Sequence, residues 1–168
     1  MNRQQVKVLL EVLKELENRP AIQRVFLDVY ANQLCAVVTD GYMLVAYPLG
    51  LADDLKELIG QSITDVDLIQ WYKLANPKDW LDVPAILEMT ERVKAAELYK
   101  ANSYPKWQTV IPKEPKVTPV LRINPIYLTR VCKIFEEHIK MEFYGEKMAV
   151  VLRPSKGGIG LIMPMRDE

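Results

Sequence analysis

Four aspartates, Asp53, Asp54, Asp65 and Asp67, are the residues whose type and spacing most invite a chemical reading. Clustered carboxylates can hold magnesium between oxygen ligands and so serve a metal-dependent nuclease. Aspartate is also ordinary in loops and at helix starts, where its carboxylate accepts backbone N–H bonds, and these four sit in such contexts. The nuclease is therefore the lesser reading. His138 is the only histidine. Near the end of a helix its cation would suit the macrodipole, but acid–base work needs a positioned partner. The SKGG stretch at Ser155–Gly158 lacks the strand–loop–helix setting and the Gly-Lys-Ser order of a phosphate loop, and a hairpin turn explains it. No catalytic residue, no metal and no cofactor are expected, so the chain is read as a non-enzyme.

The stretch LIMPMRDE, from Leu161 to Glu168, points to binding instead. Met163 and Met165 supply polarizable, unbranched surface that conforms to varied ligands. Pro164 fixes the backbone between them, and Arg166 can hold a carboxylate or carbonyl at a rim. The competing reading is an ordinary last strand, because period-two alternation puts both methionines on one side, which could equally be the core.

Composition narrows the classes. A chain of 168 residues that is 49% hydrophobic can bury a real core as one domain or two very small halves. Lysine plus arginine equals aspartate plus glutamate, 22 against 22, so there is no global field of the kind that nonspecific nucleic-acid binders carry. Any basic surface must be local. No apolar run approaches the roughly 20 residues that span a bilayer, and no leader pattern opens the chain, which reads as cytoplasmic. Cys35 and Cys132 have no CxxC partner and are expected to be buried free thiols.

The elements that must position these residues follow from periodicity. Val6, Leu9, Leu10, Leu13 and Leu16 recur at helical spacing, predicting an amphipathic helix over residues 4–18. Three β-rich runs follow, RVFLDVY, LCAVVTD and YMLVAYPL, separated at Ala31–Asn32 and at Asp40–Gly41; the Asp-Gly pair suggests a type I′ turn with positive φ at both residues. The order then repeats: VLRIN as a strand, a helix capped by Asn124 with Pro125 at its first position and running to residue 138, and strands IKMEFYG, KMAVVLRP and GIGLIMPM. The expected fold is α+β, two helix-plus-three-strand units with helices on one face of antiparallel sheets. Residues 1–50 form the first half, 51–103 a mainly helical insert without strands, and 104–168 a proline-rich, extended linker and the second half, together one compact domain. Within the insert, DDLKELIG reads as a helical turn and residues 82–102 as a helix from Pro84 onward. Its aromatics, Trp71, Tyr72 and Trp80, could cover the sheet, meet a partner or fold over a pocket.

Three segments, VVTDGYMLVAY, YPKWQTVIP and LIMPMR, occur in this order, and together they resemble the bacterial beta sliding clamp, the processivity subunit of the replicative polymerase. The resemblance covers the helix and strands of the first half, the linker and nearly all of the second half, and not the insert. It implies a DNA-clamp-like fold in shortened form, since a full subunit has three similar domains. The first half resembles the start of the family's middle domain and the second the end of its last. It also implies a hydrophobic pocket for short linear motifs of polymerases, the clamp loader or repair proteins. Carried over residue by residue, that pocket uses Thr39, Gly41, Tyr42, Met43 and Leu44, then Pro105, Thr109 and Val110, then Leu161, Met163, Pro164, Met165 and Arg166. Tyr42 and Met43 stand where the family commonly has histidine and arginine, and Thr109 where arginine is frequent, so this pocket is greasier and less cationic.

The family's helices line a hole and offer cations to phosphate without reading bases. The corresponding candidates for double-stranded DNA are Arg3, Lys7 and Lys14 on the first helix and Arg130 and Lys133 on the second, with Glu11, Glu15, Glu136 and Glu137 among them. A solvated face of mixed charge accounts for the same pattern. A ring would require a homo-oligomer or another clamp. The expected function is thus a shortened processivity factor, suited by its length to a phage or mobile element. The alternative is a monomeric decoy that sequesters clamp-binding motifs.

Overall fold

Asn2 starts the first helix. Its side chain accepts from the Gln5 N–H (2.9 Å) while the Gln5 side chain accepts from the Asn2 N–H (2.7 Å), a reciprocal capping box. Helix α1 then runs Arg3–Lys14 and buries Val6, Val8, Leu9, Val12 and Leu13. It stops short of the expected residue 18, although Leu16 still packs into the core from the turn that follows. In the computed structural model the described residues are 1–16, 18–19, 21–75, 79–84, 86, 104–114 and 121–165.

Strands β1 (Arg24–Tyr30), β2 (Gln33–Thr39) and β3 (Met43–Leu51) form the expected meander. The type I′ geometry expected at Asp40–Gly41 occurs instead at Ala31–Asn32. Ala31 and Asn32 both take positive φ (49° and 63°), as a type I′ turn requires, whereas at the Asp-Gly pair only Gly41 does (φ 92°). The Asp40 carboxylate accepts from the N–H groups of Tyr42 and Met43 (2.8 Å each), and this local bonding shapes the turn without a left-handed Asp40.

The insert departs from expectation. After a 3₁₀ turn at Ala52–Leu58, Ser62–Thr64 forms strand β4, which pairs with β1 through Val25↔Ile63. Three residues are too few to show an alternation, but the buried Ile63 holds the strand to the core. Helix α2 (Asp65–Leu74) follows directly, capped by Thr64. Of the helix expected at 82–102, residue 82 is not helical, residues 83, 84 and 86 are, and residues 85 and 87–102 lie outside the described residues.

Helix α3 (Pro125–Phe135) starts as expected, with the Asn124 side chain accepting from the Ile126 N–H and Pro125 in its first turn. It ends before residue 138, because Glu136 turns left-handed (φ 52°). The preceding residues 121–124 are not a strand; the extended Asn124 leads straight into the helix, as a residue before proline must. Strands β5 (Ile139–Glu142), β6 (Val150–Pro154) and β7 (Ile159–Ile162) complete the second meander. Because β7 pairs with β3, the two meanders merge into one antiparallel sheet in the order β4-β1-β2-β3-β7-β6-β5.

Alternation along the strands divides the core. Val38, Met43, Val45 and Ile162 face α1 and α3, and Gly160 lets β7 approach closely, since a Cβ there would stand 2.7 Å from Val131. Val37, Leu44, Ala46, Ile159 and Leu161 face the other way, under Tyr104, Trp107 and Tyr144. The helices thus lie on one face and the linker closes the other. Cys35 is buried, which pushes its thiol up to about 12. Cys132 is exposed, contrary to expectation, because α3 buries Val131, Ile134 and Phe135 and turns residue 132 outward.

Candidate functional site

The turn between β2 and β3 is a locked structure. Thr39 Oγ1 donates to the Met43 carbonyl (2.7 Å) and accepts from the Gly41 N–H (3.1 Å). Arg19 Nη1 donates to the Asp40 carbonyl (2.9 Å). These bonds, with the two to the Asp40 carboxylate, leave the Tyr42 side chain outside the core, 55% exposed and stacked on Tyr127 with centroids 6.3 Å apart.

The linker is pinned as firmly. Tyr104 donates its hydroxyl to the Val37 carbonyl (3.2 Å) and stacks on Phe26. Trp107 is buried, and its indole N–H reaches Asp28 Oδ2 (2.9 Å), which also accepts from the Gln108 side chain (2.6 Å). Contrary to the extended linker expected, Trp107–Val110 coils into a 3₁₀ turn, because the N–H and hydroxyl of Thr109 both bond back to the Lys106 carbonyl. Val110 is left exposed beside Tyr42.

The end of β7 joins them. Leu161 continues the alternation that buries Leu44, and Met163 follows on the same side, 40% exposed. The three segments enclose a groove of about 300 Å³. Leu44, Leu161, Ala149 and Trp107 are among its buried members, and Tyr42, Val110 and Met163 are exposed apolar ones. Thr39, Gly41, Met43, Pro105 and Thr109 also line it. Pro164 and Met165 do not; Met165 is 55% exposed and donates its N–H to the Arg122 carbonyl, turning the chain away. Neither methionine is core. Arg166 lies outside the described residues.

Four lining residues escaped the sequence reading: Ile22, Lys106, Trp107 and Ala149. Lys106 and Trp107 stood inside the quoted linker, where the pinning of the indole was invisible. Ile22 precedes a strand and nothing in its spacing marks it, whereas Ala149 stood inside the expected strand KMAVVLRP, on the same face as Val151.

The cations proposed for DNA are divided. Arg3 lies over the Tyr72 ring (4.4 Å) and donates to the Tyr72 carbonyl, and Arg130 grips Glu15 through both terminal nitrogens, so these two are held within the fold. That grip also lowers the Glu15 pKa. Lys7, Lys14 and Lys133 are exposed. Trp71 and Tyr72 pack partly buried against the helical core, while Trp80 is 66% exposed.

Two of the four aspartates have structural partners. Asp67 completes a capping box with Thr64 at the start of α2, and Asp53 pairs with Lys56 (3.0 Å). Among the described residues no three potential metal ligands gather, and no helix is long and apolar enough to cross a membrane. His138 is exposed beyond the end of α3, and Ser155–Gly158 is the turn between β6 and β7.

No family model matches the chain, and no curated protein matches it significantly. Solved structures do. The DNA polymerase sliding clamp from Bacillus subtilis aligns with a TM-score of 0.62 and 13% identity over 100% of this chain and 64% of that one. The DNA polymerase III subunit beta from Borrelia burgdorferi, in complex with a natural product, gives 0.57 and 12% identity over 98% and 62%. The chain has a sliding-clamp-like α+β fold, and it spans less than two thirds of each of those chains.

Proposed function

We propose that this protein is a noncatalytic, shortened sliding-clamp-like replication factor that holds short linear motifs of a polymerase, clamp loader or repair protein in the groove of Tyr42, Val110 and Met163. One observation carries the reading. Three segments remote in sequence, each implicated by resemblance, meet at one apolar groove on the face away from the helices. The sliding-clamp-like fold supports it independently.

The physical basis is burial on a prepared surface. Each leucine- or phenylalanine-sized side chain of a peptide that moves from water into such a groove contributes about 1.5–3 kcal/mol. The locked turn and pinned linker keep the ordering cost low, because the turn's N–H groups are bonded to the Asp40 carboxylate and the linker's Trp107 and Tyr104 side chains to Asp28 and the Val37 carbonyl. Met163 adds a side chain that adapts to differing shapes.

The test is fluorescence anisotropy of a labelled peptide of the glutamine-leucine-x-leucine-phenylalanine type. Saturable binding to the wild type, lost in Met163→Asp with an unchanged circular dichroism spectrum, is the expected result. Equal affinity of the two proteins overturns the site.

A second reading, sequestration of such motifs without encircling DNA, is favoured by one observation: Arg3 and Arg130 are held by Tyr72 and Glu15 instead of facing phosphate. Solution mass separates the two. A closed oligomer supports processivity and a strict monomer sequestration.

A further inference from the structure

The groove is mainly apolar, with Thr39 and Thr109 as uncharged polar side chains on its described lining. Among the described residues Lys106 is the one charged side chain on its lining, it is exposed, and its ammonium has no hydrogen-bond or ion-pair partner. Among the described residues no carboxylate lines the groove beside it. Asp28 lies under the linker, where it accepts from Trp107 and Gln108, and the Asp40 carboxylate is turned to its own backbone N–H groups. A second cation, Arg19, leans on the turn, with its Nη1 3.3 Å from where a Cβ on Gly41 would stand. Arg19 is engaged by the Asp40 carbonyl and does not line the groove, so among the described residues Lys106 is the cation at the edge of a mainly apolar floor.

From this charge arrangement we propose that Lys106 is a specificity-determining residue and that the groove's occupant is an acidic-hydrophobic peptide, whose aliphatic or aromatic side chains fill the floor while a neighbouring carboxylate meets Lys106. The inference rests on the peptide-binding reading above and adds the charge of the ligand to it. An exposed ammonium favours a carboxylate modestly and repels a second ammonium by a similar amount, so the effect is a ranking of ligands, stronger at low ionic strength. The geometry of the turn between Lys106 and Thr109 sharpens it. With the Lys106 carbonyl bonded to both the N–H and the hydroxyl of Thr109, the backbone that carries the ammonium is fixed beside the groove.

The experiment compares labelled Gln-Leu-Asp-Leu-Phe, Gln-Leu-Ser-Leu-Phe and Gln-Leu-Lys-Leu-Phe, together with versions carrying the same three residues immediately before or after the motif. Each is titrated with wild type, Lys106→Glu and Met163→Asp. Lys106 is exposed, so its reversal leaves the fold intact, which circular dichroism checks. In at least one position the wild type binds the aspartate peptide roughly two- to fivefold tighter than the serine peptide and the lysine peptide weaker still, with the differences shrinking as salt is added. Lys106→Glu reverses the order.

Peptides that bind the wild type and lose binding in Met163→Asp, yet rank identically in all positions and in Lys106→Glu, overturn the charge inference and leave the groove assignment standing. Peptides that bind neither protein sink both. A dimer of the free protein that dissociates in Met163→Asp would put a second copy of this chain in the groove and also overturn the peptide.

Discussion

The Met163 N–H donates to the Tyr42 carbonyl at 2.8 Å. This bond continues the β3–β7 ladder one step beyond Met43↔Ile162, and it joins two segments that are distant in the chain. Its consequence is geometric. The ladder holds β7 extended as far as Met163, so alternation carries that side chain to the groove side, and the Tyr42 backbone is held while its ring, stacked on Tyr127, stays half exposed.

Replacement of Gly41 tests the turn. At φ 92° an L side chain is strained, and its Cβ would press on Arg19. Gly41→Ala is expected to lose about 1–2 kcal/mol in urea unfolding and to weaken peptide binding through a displaced Tyr42.

Trp107 is the anchor of the linker. Trp107→Ala removes a side chain that is 1% exposed and is expected to cost about 3–5 kcal/mol. Trp107→Phe keeps most of the volume but deletes the indole donor to Asp28, for a loss nearer 1–2 kcal/mol. Chemical denaturation of both variants measures the difference.

Acid stability carries a signature of Glu142. Hydrogen bonds from Lys140 and Arg153, with a further one from Tyr144, hold its carboxyl at about 2 instead of the ordinary 4.5. A depressed carboxylate stabilises the fold fully above its unfolded value, and that contribution is lost as pH falls from about 4.5 towards 2. A thermal melt series from pH 6 to pH 2 should show a steeper decline for the wild type than for Glu142→Gln over that window. Parallel declines would remove the assignment.

The clasp between α1 and α3 is a salt-sensitive pair. Glu15 is half exposed, so a double-mutant cycle of Glu15→Gln and Arg130→Gln is expected to return a coupling of about 0.5–1 kcal/mol that shrinks in molar salt. If the helix face meets duplex DNA, Glu15→Gln should also strengthen that binding by releasing Arg130, which an electrophoretic shift would detect.

The two thiols should react at very different rates. Exposed Cys132 is expected to be modified at once by a disulfide reagent at neutral pH, whereas Cys35, buried and with its thiol near 12, should react only as the protein unfolds. Two fast thiols would contradict the packing of β2.

Much of this arrangement was legible from residues alone wherever a local interaction decides it. The Asn124–Pro125 helix start, the meanders and the turn at Ser155–Gly158 depend on caps, alternation and glycine, which are properties of a few neighbouring residues. The motif segments around Tyr42, Val110 and Met163 were also visible, through resemblance. Other features needed partners distant in sequence. β4 exists because β1 offers an open edge, Met165 leaves the groove because Arg122 takes its N–H, and Arg130 is held because Glu15 lies across from it. The groove itself belongs to this second class. Local chemistry sets which side chains each segment presents, but only the pairing of β3 with β7 and the burial of Trp107 against Asp28 bring those segments to one surface, since neither contact has a counterpart within its own stretch of chain.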